Sequence, residues 1–326
     1  MKCALMCLFF LLFSAAHVPA QQSGKGRPLV QLISVEKDVK IEALDWGGTG
    51  RPLVFLAGAG NDAHVFDTFA PKFVPGYHVY GVTRRGFGAS SHPAYVTSNY
   101  TAERLGSDVL AVMTALKINH PVLIGHSLGG EEMSWIGTHH PEAVAGLVYL
   151  EAGYSFALYS PAIGDKVLDA VTLRQELDTF LAGHTQNGQP LVQLQADVAR
   201  FQNDLVTYRR DIALSPPCPD CGTLPPAYAP ITTGNERFLT VHGPILAIFA
   251  DPLDPGPLFA NDPKRRAAYI ANDKVETTQR VEAFLAAVPQ AHVVRIANAS
   301  HYIFVSNEAQ VIREVNNFLT SLWRND

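Results

Sequence analysis

The 326-residue chain is poor in charge and in cysteine. Only 17% of its residues are Asp, Glu, Lys or Arg, and the net charge is -5. That excludes the basic field that nucleic acid needs, and it offers no steering of anionic substrates, so a neutral or apolar small molecule is the better partner. Four cysteines are present, and two of them lie within the first seven residues. The other two, Cys218 and Cys221, sit in a proline-rich stretch with no second pair and no histidine couple nearby. This argues against zinc, and the lack of a helix start after a strand argues against a redox motif, which leaves a local disulfide in an oxidising compartment. Internal repeats and low-complexity tracts are absent. So is any helix-opening Gly-X-Gly-X-X-Gly or Gly-Lys-Ser/Thr, which removes the usual nucleotide cradles. No cofactor is implied.

Long apolar runs are also scarce. One occurs at Ala4–Phe13, after Lys2 and before the small-residue exit Val18-Pro19-Ala20. Its length is short for a membrane span, and its flanks predict a signal peptide over 1–20 followed by a linker over 21–28. Past this point no stretch is apolar enough to cross a bilayer, so a secreted or periplasmic protein is expected. Oligomeric state is not encoded in any pattern of the chain.

Hydrophobic residues make up 47% of the chain, and shorter runs of them alternate with helical patterns. Strands are predicted at 29–34, 39–45, Leu53–Leu56, His78–Val82, Val122–Ile124, Val144–Leu150, Pro244–Ala250 and Ala291–Ile296. Continuous apolar runs mark strands covered on both faces. Between them, Leu105, Val109, Val112 and Leu116 share one helix face behind Thr101. Val311, Val315, Phe318 and Leu322 form the stripe of a last helix. The expectation is an α/β protein with a mostly parallel sheet and helices on both faces, built from 29–153 and 241–326. Residues 154–240 break the rhythm with helix-like stretches at Val167–Phe180 and Leu191–Tyr208, and are expected to form a helical lid.

The segment with chemistry is Gly125-His126-Ser127-Leu128-Gly129-Gly130. An apolar strand runs straight into Gly-X-Ser-X-Gly and a helix follows. The serine would stand on a sharp strand-to-helix turn with its hydroxyl exposed at the carboxyl end of the sheet. The pentapeptide is common by chance, so its setting must carry the inference. A glycine-rich turn, Ala57-Gly58-Ala59-Gly60, follows an earlier strand. Acidic residues follow two later ones, and His301 lies between the last strand and the last helix. Strand, GHSLGG, helix, insertion, then acid and histidine loops resemble the α/β-hydrolase fold over nearly the whole mature chain.

That resemblance implies a serine nucleophile, Ser127, a general base, His301, and a carboxylate that orients it. The order nucleophile, acid, histidine is kept. Asp254, a few residues past its strand and ahead of Pro255, fits the acid's spacing first. Asp251 follows, and Glu151, at the end of the preceding strand, occupies a position some members use. The oxyanion donors are expected to be the backbone N–H groups of Leu128 and Ala59. Ala57 stands where the family often has histidine, and Thr83-Arg84-Arg85-Gly86-Phe87-Gly88 departs from the family's aspartate at Thr83, with Arg85 paired internally. Haloalkane dehalogenases and epoxide hydrolases of this fold carry an aspartate at the elbow, which Ser127 replaces. His126 is expected to pack locally, and Glu131 and Glu132 to suit the helix dipole or line the pocket floor.

The function implied is a carboxylic ester hydrolase, with amide or lactone hydrolysis, carbon–carbon cleavage and acyl transfer as reactions open to the same machinery. A ligand-binding protein without turnover is the alternative of another class. Since a free imidazole titrates near about 6.5, activity is expected to rise with pH near or somewhat above that value.

Overall fold

Each buried strand carries two sets of apolar side chains, because successive residues point to opposite faces of a sheet. In β3 (Pro52–Leu56), Val54 and Leu56 enter one cluster, whereas Leu53 and Phe55 enter another. The same parity divides β5 (Val122–His126), β6 (Gly146–Leu150) and β7 (Ile245–Ala250), each almost wholly buried. The computed structural model describes residues 27–182, 189–214 and 223–323. The predicted signal segment and Cys218 and Cys221 lie outside them.

Among the described residues these strands belong to an eight-stranded sheet. The others are β1 (Leu29–Glu36), β2 (Val39–Gly47), β4 (His78–Thr83) and β8 (His292–Ile296), in the order β1-β2-β4-β3-β5-β6-β7-β8. β1 pairs antiparallel with β2, and β2 antiparallel with β4; all later pairings are parallel.

Helices α1 (Ala102–Ala115) and α2 (Gly129–His139) cover one face, together with α6 (Pro263–Ala287). The other face is covered by the Ala63–Phe73 turns and, at the chain's end, by α7 (Ile303–Ser306) and α8 (Glu308–Trp323). Phe304 is the junction on that side: its ring lies 4.9 Å from Phe66 and 5.5 Å from Phe69, fixing the segment after His301 to the core.

Residues 154–240 contain α3 (Lys166–Leu181), α4 (Gln189–Leu214) and α5 (Tyr228–Gly234). The Asp165 side chain caps α3 by accepting from the N–H groups of Val167 and Leu168, at 2.9 and 3.1 Å. The 25-residue α6 was not legible in the sequence. Its inward positions are Asp273, Thr277, Val281 and Phe284, so half of its buried stripe is polar and the apolar periodicity is diluted. No helix among the described residues is long and apolar enough to cross a membrane.

Candidate active site

Ser127 joins the end of β5 to the start of α2 with φ +49°, a left-handed conformation that costs an ordinary residue about 1–2 kcal/mol. Its neighbours must be glycine for steric reasons. A first side-chain carbon at Gly129 would stand 2.6 Å from the Leu56 carbonyl oxygen, and one at Gly125 2.9 Å from the Gly129 carbonyl oxygen. The turn is tied to the next strand by the Ser127 N–H, which donates to Leu150 O at 3.2 Å.

His126 packs, as its place in the elbow suggested, and it also holds the His301 loop. Its Nε2–H donates to the backbone carbonyl of His301 at 2.9 Å, which sets the tautomer and leaves Nδ1 buried without a hydrogen-bond partner. Burial, with the neighbouring His301 adding to it, pushes the His126 pKa down to about 3, so the ring stays neutral. Its ring lies 4.7 Å from that of His301, 5.0 Å from Tyr302 and 5.1 Å from Phe304. Gly58 makes room opposite, since a side-chain carbon there would stand 2.9 Å from both His126 Nδ1 and Ser127 Cβ.

The carboxylate beside His301 is Glu151, not the Asp254 that spacing favoured. His301 Nδ1 lies 3.4 Å from Glu151 Oε2. Glu151 follows β6 directly, with φ +48°, and is 2% exposed. Its Oε1 accepts the Ala250 N–H at 2.7 Å, and its Oε2 also accepts the Tyr154 hydroxyl. Burial raises the Glu151 pKa above the usual carboxylate range, against the lowering effect of the Tyr154 and Ala250 bonds. Burial also pushes His301 down, to about 3, which keeps the imidazole in its basic form.

Asp254 meets the histidine loop with its backbone. Its N–H donates to Ala299 O at 2.8 Å, and its side chain accepts from Arg266 at 2.6 Å and from the Gly256 N–H at 3.0 Å. Asp251 pairs with Arg295. Spacing along a turn does not say which way a carboxylate leaves it, and here the backbone pairing of the two loops sends Asp254 toward a half-exposed arginine.

The glycine turn after β3 lies against the elbow. Ala59 packs against the buried cluster of Phe87, Tyr100, Leu105, Leu128, Ala227 and Ile231, so both expected donors back onto one apolar core. Asn61 Nδ2 donates to the Tyr302 hydroxyl at 3.0 Å and reaches Ala59 O at 3.4 Å, linking this turn to the histidine loop. Tyr154 and Asn61 carry no sequence signal of their own; only the fold puts them beside residues that do.

The turn after β4 is held through its threonine side chain. Thr83 Oγ1 donates to Glu42 Oε2 at 2.6 Å and accepts the Ala63 N–H at 3.0 Å, so β2 brings a carboxylate to the turn. Arg85 is paired internally, with Asp108 at 2.6 and 2.7 Å and with Glu36 at 2.6 Å. No grouping of His, Cys, Asp or Glu among the described residues could hold a metal ion.

Residues 53–314 match the family model described as "Alpha/beta hydrolase family". The chain is 36% identical over 108 residues to a pyrethroid hydrolase of Sphingobium wenxiniae, a match covering 32% of this chain and 36% of that protein. It is 32% identical over 107 residues to a 3-oxoadipate enol-lactonase of Acinetobacter baylyi, covering 32% and 39%. The matched part thus spans little more than a third of the length of these relatives. Among solved structures, an esterase from Exiguobacterium antarcticum superposes with a TM-score of 0.58 at 17% identity, covering 90% of this chain and 100% of that one. E-2-(acetamidomethylene)succinate hydrolase gives 0.54 at 20% identity, covering 90% and 99%. At such identities the likeness is one of fold.

Proposed function

The chain belongs to the alpha/beta hydrolase family, and from that premise we propose that it is a serine hydrolase cleaving carboxylic esters through an acyl-enzyme. The observation that carries this is the buried pairing of His301 with Glu151, on the loop that His126 ties to the elbow of Ser127. An unassisted serine hydroxyl is a weak nucleophile at neutral pH. His301 Nε2 takes the Ser127 proton as Oγ attacks the ester carbonyl, while Glu151 accepts the Nδ1–H and stabilises the imidazolium.

The tetrahedral oxyanion then sits between the N–H groups of Leu128 and Ala59. Collapse breaks the acyl–oxygen bond, and the alcohol leaves with the proton from His301. Water, deprotonated by the same imidazole, attacks the acyl-enzyme and frees the acid and Ser127. The chain's low charge, 17% of its residues, suits a neutral ester, and α3–α5 act as the cap over the site. The amino-terminal pattern at 1–20 supports export.

A fluorophosphonate probe tests the reading. The protein is expected to gain one phosphonyl adduct by intact mass, mapped to Ser127, and to turn over p-nitrophenyl esters. A folded protein that neither labels nor turns over would show a binding protein instead. Product analysis with an added alcohol separates hydrolysis from acyl transfer.

A further inference from the structure

We propose that the buried ion pair of Arg84 with Glu132 is a positioning device for the oxyanion hole, fixing the loop that carries Ala59 to the helix turn that follows Leu128. The proposal rests on the acyl-enzyme reading above. Arg84 is 7% exposed and Glu132 2% exposed. The guanidinium meets the carboxylate as a fork, through Nε to Oε1 and through Nη2 to Oε2 at 2.8 Å. The same Nη2 donates to the Ala57 carbonyl at 3.1 Å.

Three segments converge on this one planar group. Arg84 follows β4, Ala57 lies two residues before Ala59 on the β3 loop, and Glu132 lies one helical turn beyond Leu128 on α2. The two donor-bearing segments already touch there, since a side-chain carbon on Gly129 would stand 2.6 Å from Leu56 O and 3.3 Å from Ala57 O. Oxyanion donors must sit about 2.7–3.1 Å from the developing charge, so a slack loop loses the benefit before it loses the fold.

Stability does not account for such a pair. Taking two charges out of water roughly cancels their attraction, and apolar replacements of both are commonly neutral or stabilising. The neighbouring Arg85 already performs the scaffold role, with Asp108, Glu36 and the Asn99 carbonyl as its partners. What Arg84 adds is the bond to Ala57 O.

Arg84→Met alone would strand a buried carboxylate and could fail to fold, so the informative protein is the double variant R84M/E132L. It is expected to melt within a few degrees of wild type. Its kcat on p-nitrophenyl acetate should fall about 10- to 100-fold with KM little changed, because a displaced donor costs less than the 10²–10³ of a deleted one. Affinity for a phenylboronic acid, whose tetrahedral adduct places an oxygen in the hole, should fall by a similar factor. R84K, which keeps the charge but not the fork, should lie between the two.

Unchanged kcat and boronate affinity in the folded double variant would overturn the proposal, as would a lowered melting temperature with unchanged kcat. Wild-type labelling by the fluorophosphonate is read in parallel. If wild type neither labels nor turns over, the acyl-enzyme reading fails; if it does both and the double variant matches it, only the positioning role fails.

Discussion

Glu151 Oε2 lies 3.4 Å from His301 Nδ1, although 150 positions of chain separate the two residues and β7 runs between the strands that lead to them. Glu151 reaches across because its backbone turns at φ +48° directly after β6, while Ala250 and Tyr154 hold its two oxygens. Glu151→Gln is therefore expected to lower kcat about 10³- to 10⁴-fold, since an amide no longer supports the imidazolium. Asp254→Asn removes a half-exposed pair with Arg266 and should change kcat by no more than about threefold. Steady-state assays on p-nitrophenyl acetate decide between the two acids, and the opposite ranking would restore Asp254.

Ser127→Ala should keep the melting temperature and lose about 10⁴-fold or more of kcat, because nucleophile and base act as one unit. Retention of even a tenth of the wild-type rate would place the nucleophile elsewhere.

The pH profile should differ from that of a free imidazole. Burial lowers the pKa of His301, so the base is already neutral below its ordinary value of 6.5, and the acid limb of kcat/KM is expected below that value. This replaces the expectation of a limb near or above 6.5. Stability follows the same sign. His301 and His126 are held neutral in the folded state and protonate freely when unfolded, so their contribution is lost as pH falls from 6.5 toward about 3. Melting temperatures from pH 7 to pH 4 should decline accordingly, and H126F should flatten part of that decline.

Glu131 is completely buried, with no hydrogen-bond partner for either carboxylate oxygen. Burial, reinforced by the Glu132 charge, raises its pKa well above 4.5. For a folded pKa raised above the unfolded one, stability is lost as pH rises from 4.5 toward the folded value, at about 1.4 kcal/mol per pH unit. Replacement by methionine, of similar volume and without a charge to desolvate, should raise the melting temperature, and by more at pH 8 than at pH 5. A gain independent of pH would show that Glu131 is ionised or paired in solution.

Strand positions were legible because strands covered on both faces read as unbroken apolar runs, and Leu53–Leu56, Val122–Ile124 and Ile245–Ala250 all do. The elbow was legible because only glycine fits at 125 and 129. Helix α6 was missed because Asp273 and Thr277 occupy its inward face. Asp273 is retained there as an acceptor for the Leu253 N–H, at 2.7 Å, a partner in another segment that no local pattern announces. Asn61 escaped notice for the same reason, and nothing local singled out Tyr154 or Arg84: each matters through a contact made across the fold.

By itself the sequence determined the sheet, the serine turn and the place of the histidine loop, since these follow from local chemistry: apolar periodicity, glycine where backbones meet, and chain order. Only the tertiary structure decided which carboxylate faces His301. Three acids lie at strand ends within plausible spacing, and the choice depends on side-chain direction. That direction is set by the pairing of the Leu253–Asp254 backbone with Ala299, by the arginines that capture Asp254 and Asp251, and by the left-handed turn at Glu151.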